Sequence, residues 1–112
     1  MKKPKLMIAD IDGTLMPKGE NISPFTREIL SRLHKAGIWV CIASGRPLEE
    51  VKMSLNTYRL DFVPEFIVGM NGGELEDTLD GTVDVLHLME PETIKAVVTA
   101  MKDQPCNITQ YR

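Results

Sequence analysis

Residues 5–15 read Lys-Leu-Met-Ile-Ala-Asp-Ile-Asp-Gly-Thr-Leu, an apolar run that ends in two acids separated by one residue. The apolar part has the length of a buried strand. Asp10 and Asp12 lie two positions apart, so their side chains point the same way in extended backbone. Two such carboxylates attract a hard cation such as Mg²⁺, and Gly13 allows a sharp turn whose N–H groups could face an anion. The alternative is an ordinary Asp-Gly turn with solvated acids.

The segments after this stretch alternate between helical patterns and short apolar runs. Ser23-Pro24 and Pro47 have the character of helix starts, since Ser caps a first turn and Pro suits the first helical position. We predict strands over 5–10, 38–43 and 66–69. An order of strand, helix, strand, helix, strand predicts right-handed crossovers and a parallel sheet.

The pattern changes near residue 73. Residues 74–78 and 82–88 predict two strands joined around Asp80-Gly81, which is a hairpin signal. Pro91 begins a helical pattern, and residues 106–111 alternate weakly like the start of a strand. We therefore expect an α/β fold: a partial, Rossmann-like three-layer core with an incomplete parallel sheet in residues 1–73, and a hairpin, helix and strand in residues 74–112.

Composition excludes several classes of protein. The chain has 112 residues and a net charge of −3, and residues 61–92 hold nine acids and no Lys or Arg, which disfavours a nucleic-acid partner. No apolar stretch approaches the roughly 18 residues of a membrane span, so we expect no membrane partner. Cys41 and Cys106 do not form a disulfide framework. The expected location is the cytoplasm.

Polar residues follow all three strands of the predicted parallel sheet. Asp10, Ser44 and Asn71 stand at or just beyond the strand ends. Carboxyl ends of parallel strands share one edge, and ligands of open α/β sheets bind there. A carboxylate beside Mg²⁺ can attack phosphorus and form an aspartyl-phosphate, while a second acid protonates the leaving oxygen and then activates water.

These motifs resemble the haloacid dehalogenase superfamily of phosphohydrolases. Residues 8–15 (Ile-Ala-Asp-Ile-Asp-Gly-Thr-Leu) resemble its first motif. Residues 42–47 (Ile-Ala-Ser-Gly-Arg-Pro) resemble its second motif in the form of the Cof-like sugar phosphatases. Residues 69–73 (Gly-Met-Asn-Gly-Gly) resemble the turn before the cap, and residues 74–112 resemble the beginning of that inserted α/β cap.

The resemblance implies a role for each matching residue. Asp10 would be the nucleophile and a Mg²⁺ ligand, and Asp12 would be the general acid/base and lend its backbone carbonyl to the metal. The phosphate would be held by the backbone N–H of Ile11, the hydroxyl and backbone of Ser44 and the N–H of Gly45.

Two further residues have a weaker warrant. Arg46 would contact the substrate or pair with a neighbouring Glu, and Asn71 would contact the substrate or serve a left-handed turn. Ser44 has the alternative of a simple turn residue.

The chain also departs from the family pattern. The superfamily carries a Lys and a Gly-Asp-rich acidic segment after the cap, and neither occurs in these 112 residues. We therefore expect the amino-terminal portion of a Mg²⁺-dependent phosphatase for small phosphorylated metabolites, incompetent alone and prone to self-association through exposed sheet edges. Two alternatives stay open: a non-catalytic remnant that binds metal, phosphate or a partner, and a phospho-accepting regulatory domain.

Overall fold

The computed structural model describes residues 2–17 and 21–109 and shows one mixed sheet with helices against it. The strands lie side by side in sequence order. The elements are β1 (Leu6–Asp10), α1 (Pro24–Lys35), β2 (Trp39–Ala43), α2 (Leu48–Tyr58), β3 (Phe66–Gly69), β4 (Glu74–Asp77), β5 (Thr82–Val85) and α3 (Pro91–Met101), with a 3-10 turn at Met70–Gly72. This confirms the α/β class.

The first three strands are parallel and the last two form an antiparallel hairpin on the same sheet. β1 pairs with β2, and β2 with β3, in parallel. β4 then runs antiparallel to β3, and β5 antiparallel to β4. The predicted hairpin therefore continues the sheet of the first half, and the division of the chain at residue 73 stays a prediction.

The helix boundaries follow the predicted start and stop signals. The Ser23 side chain accepts a hydrogen bond of 3.0 Å from the N–H of Thr26, and Pro24 occupies the first helical position of α1. Gly37 follows this helix with a φ of 83°, a conformation that Gly adopts at little cost. Arg59 ends α2 with a φ of 54°, which is costly for a residue with a Cβ.

The core lies between α1, α2 and one face of the parallel strands. Because side chains alternate along a strand, only one face of each strand points toward the helices. The fully buried members are Ile11, Val40, Ile42 and Val51, and Leu30, Leu48, Tyr58 and Ile67 pack around them. Burying a side chain of this size stabilises a fold by about 1.5–3 kcal/mol.

The other face of the sheet carries no helix in the part of the chain that the structure describes. Leu6 and Ile8 of β1 are 43% and 62% exposed, and Trp39 of β2 is 46% exposed. β1 is moreover an edge strand, since β2 is its sole neighbour in the described sheet. β1, predicted to be buried, is thus covered on one face only. The described residues form two layers, the sheet and one layer of helices, where three were expected.

The hairpin and α3 extend away from this core. The radius of gyration is 17.0 Å, against about 13 Å for a compact domain of this length. Val97, Val98 and Met101 of α3 are all exposed, although they lie at helical spacing. Residues 106–109 form no strand and residues 110–111 lie outside the described ranges, so the last predicted strand stays a prediction. No helix in the described ranges has the length and hydropathy that a membrane crossing requires.

A buried carboxylate joins α1, β2 and the segment before β3. The side chain of Glu65 accepts hydrogen bonds from His34 Nε2 at 2.6 Å and from the N–H of Val40 at 2.8 Å. Phe62 stacks on the His34 ring with 4.2 Å between centroids. Burial acts to raise the pKa of Glu65, but the hydrogen bonds from Val40 and His34 outweigh it and hold that pKa below its ordinary value.

We expect Glu65→Gln to lower the free energy of unfolding by about 1–3 kcal/mol at neutral pH, because the amide cannot accept from both donors. A carboxylate with a depressed pKa in the folded state stabilises fully above its ordinary pKa and loses that effect as pH falls. The difference between wild type and variant should therefore shrink as pH falls through the lowered pKa of Glu65. Urea denaturation at several pH values measures it.

Glu92→Gln, at an exposed position in the first turn of α3, is the matched control for this prediction. It removes the same charge and should change the unfolding free energy by no more than a few tenths of a kcal/mol. A Glu65→Gln protein as stable as this control at every pH would contradict the role assigned to the buried carboxylate.

Candidate active site

The ends of the three parallel strands bring the predicted site residues to one edge of the sheet. Asp10, the last residue of β1, lies opposite Ala43, the last residue of β2. The N–H of Ser44 then donates to Val68 O of β3 at 2.9 Å, and the N–H of Asn71 donates to Ser44 O at 3.1 Å. The shared edge predicted from the sequence is therefore present.

The loop after β1 is tied down by its own backbone. The N–H of Gly13 donates to Met16 O at 2.9 Å, and the N–H of Leu15 donates to Asp10 O at 3.2 Å. Gly13 has a φ of 78°, the left-handed conformation that this reversal requires. Ile11 is fully buried and anchors the loop in the core, so Asp10 and Asp12 stand exposed on either side of an anchored residue.

Asp12 is engaged by Arg46, which lies just beyond β2. Arg46 Nε donates to one carboxylate oxygen at 2.8 Å, and Arg46 NH2 donates to the other. Arg46 NH1 also donates to the Ser54 hydroxyl of α2 at 3.2 Å. The hydrogen bond from Arg46, aided by its charge, holds the pKa of Asp12 below its usual range. Of the two alternatives for Arg46, the structure shows an ion pair, but its partner is Asp12 rather than a Glu.

The turn after β2 packs closely against the turn after β3. Ser44 is buried, and its hydroxyl oxygen accepts from the N–H of Arg46 at 3.1 Å. Asn71 has a φ of 54°, so it occupies the left-handed conformation named as its alternative. A Cβ on Gly45 would stand 2.9 Å from Asn71 Oδ1, so a larger residue there would require the Asn71 side chain to shift.

A second close approach fixes the start of α2 beside this edge. A Cβ on Gly69 would lie 2.7 Å from the backbone nitrogen of Leu48 and 3.0 Å from Arg46 O. Both neighbours are backbone atoms, which cannot move aside as a flexible side chain could. The absence of a side chain at the end of β3 thus lets the Ser44–Arg46 turn and the first turn of α2 seat against the sheet.

The residues that could hold a metal are few. Across residues 2–17 and 21–109, no three His, Cys, Asp or Glu side chains form a group suited to a metal ion. The Asp10 carboxylate is exposed, whereas both oxygens of the Asp12 carboxylate are taken up by Arg46. Mg²⁺ is commonly held by one or two protein carboxylates with water and substrate phosphate completing its shell, so the Asp10 carboxylate fits one ligand of such a site.

Sequence reasoning did not find the partner of Arg46. Asp12 and Arg46 are 34 positions apart, and no local periodicity joins them. A usable signal existed, because Arg46 follows Ser44 by two residues and therefore had to lie near the same edge. No sequence motif marked Ser54 and Tyr58, which lie on α2 beside this pair. Burial raises the pKa of Tyr58.

Comparison with known proteins identifies relatives of this arrangement. The chain is 42% identical over 93 residues to the 5-amino-6-(5-phospho-D-ribitylamino)uracil phosphatase YwtE of Bacillus subtilis, covering 83% of this chain and 30% of that protein. The structure resembles a haloacid dehalogenase-like hydrolase from Bacteroides thetaiotaomicron, with a TM-score of 0.74, 31% identity, and coverage of 89% of this chain and 38% of that one. A subclass IIB sugar phosphatase of the same superfamily matches with a TM-score of 0.71 and 26% identity, over 89% of this chain and 38% of its own.

The chain spans about a third of the length of the curated relatives it matches. The sequence model of haloacid dehalogenase-like hydrolases matches residues 7–112, which is nearly the whole chain. The match includes both acids of the first motif and the Ser44–Arg46 turn, the features that the structure gathers at one sheet edge. The chain therefore belongs to the haloacid dehalogenase-like hydrolase family.

Proposed function

We propose that this chain contributes the nucleophile and phosphate-contacting parts of a Mg²⁺-dependent phosphatase for small phosphorylated metabolites. The observation that carries the proposal is the strand register, with Asp10 opposite Ala43 and Ser44 hydrogen-bonded to the end of β3. Two of the three similar proteins named above are phosphatases, which supports the same reaction class. The domain boundary at residue 73 and the cytoplasmic location stay predictions.

The proposed reaction has two displacements at phosphorus. A carboxylate oxygen of Asp10 bonds to phosphorus while the bond to the leaving oxygen breaks, and Asp12 gives that oxygen a proton. Water then attacks the phosphorus of the aspartyl-phosphate, Asp12 takes the proton from it, and the bond to Asp10 breaks to release phosphate. Mg²⁺, which the family resemblance assigns to the Asp10 carboxylate and the Asp12 carbonyl, would neutralise charge on the phosphoryl oxygens and the carboxylate when bound.

The phosphoryl group would be held by hydrogen-bond donors from the loops after β1 and β2. The backbone N–H of Ile11, the hydroxyl of Ser44 and the N–H of Gly45 are the proposed donors. The Ser44 oxygen accepts a hydrogen bond from the N–H of Arg46, which leaves its own proton free to be donated. Such donors stabilise charge most when they are fixed before the reaction begins.

The contact between Asp12 and Arg46 sets a condition on this mechanism. An acid step needs Asp12 protonated, whereas Arg46 lowers the pKa of Asp12 and so favours the carboxylate. The paired arrangement therefore suits Asp12 as the base of the second displacement. Protonation of the leaving group requires the contact with Arg46 to loosen when substrate occupies the edge.

Asp10→Asn should abolish aryl-phosphate hydrolysis in a protein that joins this chain to the downstream segment its relatives possess, because an amide cannot act as the carboxylate nucleophile. Asp12→Asn should reduce turnover by about 10²–10⁴-fold through loss of proton transfer. Steady-state rates with Mg²⁺ measure both effects, and circular dichroism verifies the fold.

Asp84→Asn is the matched control, since this exposed acid of β5 is distant in the sheet order from Asp10. It should leave turnover unchanged. Near-normal hydrolysis by the Asp10→Asn protein would refute the assigned nucleophile.

A binding-only role is the second candidate function. Both carboxylate oxygens of Asp12 are engaged by Arg46, and within the described ranges no third acidic or His ligand joins Asp10 and Asp12. Such a site could hold phosphate or metal weakly without turning over substrate. Phosphate binding by the 112-residue chain without Mg²⁺-dependent hydrolysis, together with inactivity of the longer protein, would favour this candidate.

We also propose that the 112-residue chain associates with itself along β1. An edge strand with unpaired backbone groups and exposed apolar side chains is a template for pairing with another chain. Ile8 is 62% exposed in the middle of that strand, and Leu6 is 43% exposed.

Ile8→Lys should shift the 112-residue chain toward monomer, because a charged side chain on an edge strand opposes pairing. Sedimentation velocity at several protein concentrations measures this shift. Met53→Lys is the control, since Met53 is 68% exposed on α2 rather than on the sheet. Wild-type protein that stays monomeric at all concentrations would refute the association.

A further inference from the structure

A basic groove lies between α1 and the segment that follows α2. Its volume is about 410 Å³, within the range of small-molecule sites. It is lined by four basic and two acidic side chains with Pro24 and Ser31: Arg27, Arg32, Lys35, Arg59, Glu28 and Asp61. The local charge of +2 stands out in a chain whose net charge is −3.

The acidic charge in this groove is already partly neutralised by neighbours. Asp61 accepts a hydrogen bond of 2.8 Å from the Ser31 hydroxyl and pairs with Lys35 Nζ at 3.3 Å. Across the described ranges, Arg27, Arg32 and Arg59 take part in no ion pair. Three guanidinium groups thus face a groove in which Glu28 is the remaining acid.

Two of these arginines carry a local cost. The Nε of Arg27 is shielded from solvent and has no hydrogen-bond acceptor in the part of the chain described. A shielded donor without an acceptor is unfavourable, and a small rotation of the guanidinium toward the groove would allow an oxyanion to accept from it. Arg59 keeps a φ of 54°, which a residue with a Cβ rarely adopts. Costs of this kind concentrate where a ligand repays them.

The geometry points to an accessory binding site for a phosphate dianion, free or as the phosphoryl group of a small molecule, in the groove of Arg27, Arg32 and Arg59. The guanidinium fork matches phosphate oxygens, and a dianion balances the local charge of +2. The site is distinct from the candidate active site. None of its lining residues belongs to the candidate active site, and Arg59 follows α2 whereas Arg46 precedes it.

The test is a titration of the 112-residue chain with inorganic phosphate in the presence of a chelator, following the Nε–Hε resonances of its arginines. Signals of Arg27, Arg32 and Arg59 should move together and saturate with one Kd. Arg27→Gln should weaken that Kd about tenfold, as expected for one charge-assisted hydrogen bond. Lys95→Gln, an exposed charge removal on α3, should leave the Kd unchanged.

Arg59→Gly separates ligand binding from folding. Gly adopts a positive φ without strain, so this variant should have a higher Tm than wild type while its phosphate affinity falls about tenfold. A variant that only damaged the fold would lose both together. Glycerol phosphate in a parallel titration distinguishes the sources: equal affinity assigns binding to free phosphate chemistry, and tighter binding shows that the ester is preferred.

Two results would overturn the accessory site. Arginine signals that move linearly with phosphate and never saturate would show non-specific screening of charge. Loss of binding in Ser44→Ala, with binding retained in Arg27→Gln and Arg59→Gly, would place the phosphate at the candidate active site instead. That second result would leave the proposed phosphatase function standing and remove the accessory site alone.

Discussion

The parallel pairing of β1, β2 and β3 is the constraint on which the rest of this structure depends. Parallel strands must send every connection back across the sheet, so each strand end opens into a loop at the same edge. Asp10, Ser44 and Met70 begin these loops, and their relative heights follow from the pairing of Asp10 with Ala43 and of Ala43 with Val68. The backbone hydrogen bonds of the sheet thus set the relative positions of the candidate site residues.

Charged side chains then connect the loops at this edge. Arg46 reaches across from β2 to the loop after β1, and its third nitrogen binds Ser54 on α2. One guanidinium thus links two loops and a helix. Because the contact with Asp12 is exposed, its strength depends on salt and it contributes little to folding. The contact instead fixes the direction in which the Asp12 carboxylate points.

Much of the fold could be predicted from the sequence because its signals are local. The Ser23 cap, the first-turn prolines and the apolar runs each act within a few residues, and the observed boundaries agree with them to within one residue, except that β5 ends at Val85 and not at residue 88. The exposure of one face of β1 could not be predicted, since the apolar run from Leu6 to Ala9 matches a strand buried on both faces. The attachment of the hairpin to β3 also depends on tertiary pairing that no turn signal encodes.

At the candidate site, strand-end placement predicted which residues meet, whereas the pairing of Asp12 with Arg46 depends on side-chain reach across 34 positions.

The contact of Glu65 with Val40 affects how the strands find their alignment during folding. Glu65 donates its backbone N–H to Val40 O at 3.0 Å, and its side chain accepts from the N–H of the same residue at 2.8 Å. A shift of β3 by one residue would turn its apolar side chains to the wrong face and also leave this carboxylate buried without its donors. A misaligned state is therefore destabilised by two effects, the exposure of apolar side chains and the burial of an unpaired carboxylate. A single acid at the far end of the sheet in this way helps to select the alignment of β3 with β2 that brings Asn71 beside Ser44 at the other end.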